Sequence, residues 1–312
     1  MRPTLRQLQY IIAVSETGRF HEAARMMNVS QPSLSAQIAE AELHLGVQLI
    51  ERNRSGAILT PVGEEVVRRA RIVLLGVEDI KTVARGSIKK LSGRFRLGTL
   101  PTIGPYLLPS AAKELHRRFP NLLLSVREEG SVSLDEKLKD GRLDMLISTA
   151  NDHVNSASMH LFDEKLFVCA ANEHVLSSQT GPVGLDELRG HEILSLGNGY
   201  RLSGIVQDLA RIAEAHISTE YEGTSLDAVR QMAVMGAGVA VLPSLYALVE
   251  ARRDPSQVVR PIGYNDAKRE VSLIWRRDSP LATNMETIGG VLQEVASKIL
   301  SGEDGLSQKR VS

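Results

Sequence analysis

The chain has 312 residues, 43% of them apolar, with 37 basic and 37 acidic side chains, enough for two or three domains each with a core of its own. No run of about 18 apolar residues occurs, so no membrane span is expected, and Arg, Gln and Glu interrupt the first twenty residues, which argues against a secretory leader and for a cytoplasmic protein. The single cysteine, Cys169, excludes an internal disulfide and a cysteine-rich zinc site, while residues 1–90 hold 13 Lys or Arg against 9 Asp or Glu, a net of +4 that hints at an anionic partner.

Leu5, Leu8, Ile11 and Ile12 share one helical stripe, which Gly18 ends. Phe20, Ala23, Ala24 and Met27 mark a second short helix, and Asn28-Val29-Ser30 a tight turn. Ser30 is a good N-cap, and Pro32 falls in a first turn, where its missing N–H costs nothing. Leu34, Ile38, Ala41 and Leu45 then form an inward stripe up to Gly46, completing a helix-turn-helix.

At about 100° per residue, Pro32, Ser35, Ala36 and Ala39 lie opposite that stripe, with Ser33 beside them. All are small, so this helix can sit deep in a major groove, with Gln31 and the hydroxyls facing phosphates and base edges. A merely solvated face favours Lys and Glu instead. The stretch LIERNRSGAILTP reads as a β-wing with Arg52 and Arg54 near its tip, placed to grip backbone or minor groove.

Thr60-Pro61 opens another helix, in which Val62, Val66, Ala70, Val73, Val77, Ile80 and Ala84 are spaced 4, 4, 3, 4, 3 and 4 apart, close to a coiled-coil seam. Residues 61–90 would reach roughly 45 Å as a helix, too long a stripe for the winged domain to cover. A partner chain covers it most simply, and a two-fold dimer supplies two reading helices.

These features together, carried by VSQPSLSAQIAEAELHLGVQLIERNRSGAILTPVGEEV and the long helix after it, resemble the LysR-type transcriptional regulators over the whole chain. The resemblance implies an α/β protein with an N-terminal winged helix-turn-helix (1–60), a linker and dimerisation helix (61–92) and a two-lobed effector domain like a periplasmic solute-binding protein (93–301). Lobe I is expected at about 93–167 plus 268–301, lobe II at about 168–267, and a flexible tail at 302–312. Ser30, Gln31, Pro32, Ser33, Ser35, Arg52 and Arg54 are the DNA contacts it implies. The implied partners are double-stranded promoter DNA, a second copy through the linker helix, a homotetramer, a small-molecule effector and RNA polymerase, with no membrane.

From residue 93 on, short apolar strands alternate with amphipathic helices, as in RFRLGTL, PYLLPSAAKELHRRF and LLLSVREE, then again in EILSLG, LSGIVQDLARIAEA and VAVLPS, which argues for parallel α/β lobes. HExxH, the Walker phosphate loop and GxSxG are absent, so no enzyme and no cofactor is expected. Gly197-Asn198-Gly199 begins a dinucleotide-like pattern, but Leu202 stands where its third glycine belongs. Gly236 and Gly238 suit a helix end and a tight strand entry, and the eight histidines show no ligand spacing.

Within the family, LGTLPTIGPYLLP, LFDE, GTSLDAVRQMAVMGAGVAVLP and RDSPL are most similar to the peroxide-sensing OxyR type. That resemblance implies a pocket at Thr102, Ser131 and Arg276. The thiol switch is missing: Tyr200, Arg201 and Ala210 stand at its His, Cys and Cys positions, and Gly204 replaces an aspartate. Cys169, in LFVCAA, reads as core filler. Thr102, Ser131 and Ser203 sit near expected helix starts, which favour anions, and Arg201 and Arg276 can add two-point recognition. A small organic anion between the lobes, lined also by Tyr200, is therefore the expected effector; the alternatives are Arg201 as a surface charge, or peroxide sensing without an intramolecular disulfide.

Overall fold

The computed structural model describes residues 3–53, 56–84, 91–197, 201–223 and 225–302. They fall into two compact units, 1–90 with 136–143, and 91–135 with 144–312.

In the first unit, α1 (Leu5–Thr17), α2 (Phe20–Met26) and α3 (Gln31–Leu45) pack around Ile11, Val14, Ala23, Leu34, Ile38, Ala41 and Leu49. Thr4 starts α1 with a capping box: Thr4 Oγ1 accepts from Gln7 N at 3.2 Å, and Thr4 N donates to Gln7 Oε1 at 2.9 Å. Gly18 and Gly46 close α1 and α3 at φ 66° and 70°, a left-handed conformation that costs glycine least. Asn28, also left-handed at φ 54°, makes the turn into α3. Leu45, expected inward, is half exposed, because it is the last residue before the Gly46 cap and the chain already turns away.

The wing pairs β1 (Ile50–Asn53) with β2 (Gly56–Leu59), from Ile50 opposite Leu59 to Asn53 opposite Gly56. Glu42 of α3 holds its root, accepting from Leu49 N at 2.7 Å and Ile50 N at 3.0 Å. Those two amides would otherwise lack partners beside the core. Helix α4 (Pro61–Ala84) has 24 residues, about 36 Å of length, and residues 85–90 of the expected linker lie outside the described residues. Val67 and Ala70 are buried within this unit, whereas Val62, Val73 and Ile80 remain 49%, 47% and 67% exposed.

The second unit is built on one continuous mixed sheet ordered β4 (Leu122–Glu128), β3 (Gly93–Thr99), β5 (Met145–Ser148), β11 (Lys268–Arg276), β6 (Ser156–Ala171), β9 (Val239–Pro243), β7 (Glu192–Leu196), β8 (His216–Gly223), with β10 (Gln257–Pro261) also on β6. Around it lie α5 (Gly104–Arg118), the start of α6 (Ser131–Lys139), α7 (Leu185–Leu188), α8 (Arg201–Ile212), α9 (Leu226–Val234), α10 (Ser244–Val249) and α11 (Ala282–Ser301). Strands β3, β4 and β5 are mutually parallel neighbours, as are β7, β8 and β9, but β6, β10 and β11 run antiparallel to their partners. The parallel pairing expected of the lobes thus holds at β3–β5 and at β7–β9, while the crossover strands β6 and β11, and β10 on β6, are antiparallel.

Strand β6 has 16 residues and changes partners midway: up to Lys165 it pairs with β11, and from Leu166 with β9 and β10. The expected border near 167 falls inside this strand. Cys169, on its second half, is fully buried between β9 and β10 in the core of lobe II.

Candidate functional site

Ser30 caps α3, its Oγ accepting from Ser33 N at 3.3 Å, so that hydroxyl oxygen is already partly used. Beyond it, Gln31, Pro32, Ser33, Ala36 and Ala39 are exposed and Ser35 is half-buried, a smooth face of small side chains at a positive helix end. Arg52 does not extend along the wing towards its tip. Its Nη2 donates to Ser35 Oγ at 2.7 Å, and its Cζ lies 4.2 Å from the centre of the Phe20 ring. The hydroxyl and the ring face together outweigh a free position in water, and sequence separation hid both partners. Arg54 lies outside the described residues.

In the second unit a cavity of about 10 Å³ is lined by Leu100, Pro101, Thr102, Gly130, Ser131, Arg201, Leu202 and Arg269. Leu100–Thr102 follow β3 and Gly130–Ser131 follow β4, so the cavity sits at the carboxyl ends of parallel strands, where open α/β sheets bind ligands. Its volume holds about one water.

Of the expected effector residues, Thr102, Ser131 and Arg201 meet at this cavity, and Tyr200 lies outside the described residues. Ser203 is buried within α8, accepts from Gln207 Nε2 at 3.4 Å and is not among the lining residues. Arg276 is a correction. Trp275 pairs with Met145 at the beginning of β5, so Arg276 lies past the amino end of that strand, opposite to the cavity. There it faces Asp144 and Asp278, and burial pushes its pKa down.

Two residues of the site were not expected. Arg201 Nε lies 3.3 Å from Asp152 Oδ1, while Asp152 Oδ2 is buried with no hydrogen-bond partner. Ser148 Oγ, at the end of β5, and Thr149 Oγ1 and His153 Nε2, on either side of the turn that holds Asp152, are likewise buried and unpartnered. Each such group costs about 1–3 kcal/mol, and their concentration here marks a place suited to a polar ligand or water.

Arg269 is the second. Its side chain is 1% exposed, and Nε meets Glu164 Oε2 at 2.5 Å, with Glu164 itself 0% exposed. Arg269 Nη2 donates to Thr102 O at 3.4 Å, and Glu164 Oε1 accepts from Leu245 N at 3.2 Å. One buried ion pair thus joins the two crossover strands to the loop after β3 and the start of α10. Strand alternation carried the signal: Lys268 and Glu270 point out, which turns Arg269 in with Val271.

Cys169 is no nucleophile. Burial pushes its thiol up to about 12, against a smaller lowering by Arg230, and its Sγ donates to Gln257 Oε1 at 3.3 Å. Among the described residues no three His, Cys, Asp or Glu side chains are grouped to hold a metal, and no helix is long and apolar enough to cross a membrane.

Residues 5–64 match the bacterial regulatory helix-turn-helix family of lysR type, and residues 89–297 the LysR substrate binding domain. A hydrogen peroxide-inducible genes activator of Haemophilus influenzae is 33% identical over 299 residues, covering 96% of this chain and 99% of that protein. The DNA-binding transcriptional dual regulator OxyR of Escherichia coli is 32% identical over 290 residues, 93% of this chain and 94% of that protein. Among solved structures, a full-length OxyR variant from Pseudomonas aeruginosa superposes with a TM-score of 0.78 at 31% identity, covering 93% of this chain and 97% of that one.

Proposed function

The chain belongs to the LysR family of DNA-binding transcriptional regulators, closely related to the OxyR peroxide sensors, and on that premise we propose that a small anion between its lobes, not a thiol switch, sets its activity. The carrying observation is that Arg201, Thr102, Ser131 and Arg269 line one cavity, beside a turn rich in unpartnered polar atoms. A carboxylate or phosphate would compete with Asp152 for Arg201 and take hydrogen bonds from the loops after β3 and β4. It needs more room than one water, so binding separates the lobes or swings Asp152 aside. That coupling is what a population shift requires.

On this reading Gln31, Pro32, Ser33 and Ser35 contact promoter DNA, and the exposed Val62, Val73 and Ile80 of α4 meet a second copy in the dimer, two dimers making a tetramer. The protein works in the cytoplasm on double-stranded DNA, beside RNA polymerase, and has no catalytic role. A second reading, peroxide sensing without an internal disulfide, draws on relatives described as hydrogen peroxide-inducible activators, but its only thiol is buried and held neutral.

Thermal-shift titration of the full chain with a panel of carboxylates, phosphate and sulfate, each repeated on Arg201→Ala, tests the proposal. Saturating stabilisation by at least one anion, lost in Arg201→Ala, is expected. Stabilisation by none of them, or equal stabilisation of the variant, overturns it.

A further inference from the structure

We propose that Arg52 reads a guanine edge in the operator, with Phe20 and Ser35 as the residues that aim it, so that it determines sequence specificity instead of gripping any DNA. The default role of a wing arginine is to neutralise phosphate, where charge is enough and a swivelling side chain serves well. Arg52 is held otherwise. The Phe20 ring, 4.2 Å from Cζ, fixes where the guanidinium sits, and the 2.7 Å bond from Nη2 to Ser35 Oγ fixes its rotation.

Ser35 belongs to α3, one turn after the cap, on the helix that presents Gln31, Pro32 and Ser33 to solvent. The tether therefore carries a residue of β1 back to the reading helix, away from the wing tip. Among the described residues no carboxylate pairs with Arg52, whereas Arg19 pairs with Glu22 and Arg69 with Glu65. The charge and most of the five N–H donors remain for DNA. A planar fork held at both face and edge suits an acceptor with two fixed atoms, such as O6 and N7 of guanine, and loses little rotamer freedom on binding.

The test begins with the duplex that the full chain enriches from a randomised pool. Each guanine of the enriched motif is replaced in turn by 7-deazaguanine, which lacks the N7 acceptor. For the wild type, one replacement per half-site should weaken binding roughly tenfold. Arg52→Ala and Arg52→Lys should each lose a similar factor on the enriched duplex, lose much less on random duplex, and no longer sense that replacement. Phe20→Tyr, which keeps the ring, should bind as the wild type does, while Phe20→Leu should lose affinity for the enriched duplex selectively. Thermal melts report whether each variant folds; should Phe20→Leu unfold, Arg52→Lys, which keeps the charge and loses the planar fork, carries the test.

Any of these results overturns the proposal: Arg52→Lys binding like the wild type, Arg52→Ala weakening enriched and random duplexes alike with a shallower salt dependence, or no guanine whose replacement is felt. A 7-deazaguanine loss that persists undiminished in Arg52→Ala assigns that base to another residue and overturns it equally.

Discussion

Replacing Arg269 by Met removes a guanidinium from a pair whose side chains are 1% and 0% exposed, and it leaves the Glu164 carboxylate in the interior with Leu245 N as its remaining close partner. Stranding one ion of a buried pair costs about 3–5 kcal/mol, far above the roughly 0–1 kcal/mol of an exposed pair. For a unit of this size each kcal/mol lowers the melting temperature by about 2–4 °C, so the effector unit should melt about 6–20 °C earlier. Calorimetry on the full chain, following that transition, measures it. The shift should hardly change between 0.1 and 0.5 M salt, because screening acts weakly on buried charges. Adding Glu164→Leu removes the stranded charge, and the double variant should recover to within about 3 kcal/mol of the wild type, the remainder being the lost acceptor for Leu245 N. A single variant that melts within 3 °C of the wild type, or a double variant as unstable as the two singles summed, would refute the reasoning.

The exposed stripe of α4 and the buried thiol each make a further prediction. Val73→Glu with Ile80→Glu puts two charges on side chains that are 47% and 67% exposed, so the fold of each chain should survive while light scattering registers a drop to a smaller assembly; an unchanged mass rejects the α4 seam. Cys169 should resist iodoacetamide at pH 8 unless the protein unfolds, and Cys169→Ser should leave regulation near wild type. The sign also runs through stability. Folding raises this thiol from 9.0 to about 12, so its contribution is full below pH 9 and is lost as the pH rises from there towards 12. Alkaline melts of Cys169→Ser should lack that loss, and rapid native labelling at pH 8 would contradict the burial argument.

What the sequence made legible follows range of action. The helix-turn-helix was readable because its boundaries are local chemistry: Thr4 with Gln7, Gly18, Asn28, Ser30 before Pro32, Gly46 and Thr60 all act within a few residues of themselves. The cleft was half readable. Thr102 and Ser131 follow strands whose apolar runs are plain, and the carboxyl ends of such strands face the ligand side. Arg276 was implied by the resemblance alone, and the antiparallel register with β5, which no local pattern shows, puts it at the other end of β11. Arg269 could have been found from strand alternation, but Asp152 could not, since the short turn that holds it has no periodicity. Strand β10, five residues ending in Pro261, carried too weak a pattern to stand out from a loop. Arg52 needed Phe20 and Ser35, 32 and 17 residues away, to be placed.

If a bound anion does replace a thiol switch, the energies have to match. Moving a two-state equilibrium from 1:99 to 99:1 takes about 5.5 kcal/mol of differential affinity. Arg201 and Asp152 alone cannot hold the lobes by that much: Arg201 is 48% exposed, and a pair so placed is worth about 0–1 kcal/mol. The bridge is therefore cheap to break, as a ligand gate has to be. A ligand that takes two charge-assisted bonds from Arg201 and further ones from the loops at Thr102 and Ser131, each about 1.5–3 kcal/mol, reaches the required difference only if it makes most of them in one lobe arrangement and few in the other. Arg269 cannot be the moving part, since freeing it strands Glu164 at a cost comparable to the entire shift. On the proposed reading the labour divides: the buried Glu164–Arg269 pair holds the crossover strands together, and Arg201 exchanges an internal carboxylate for an external one.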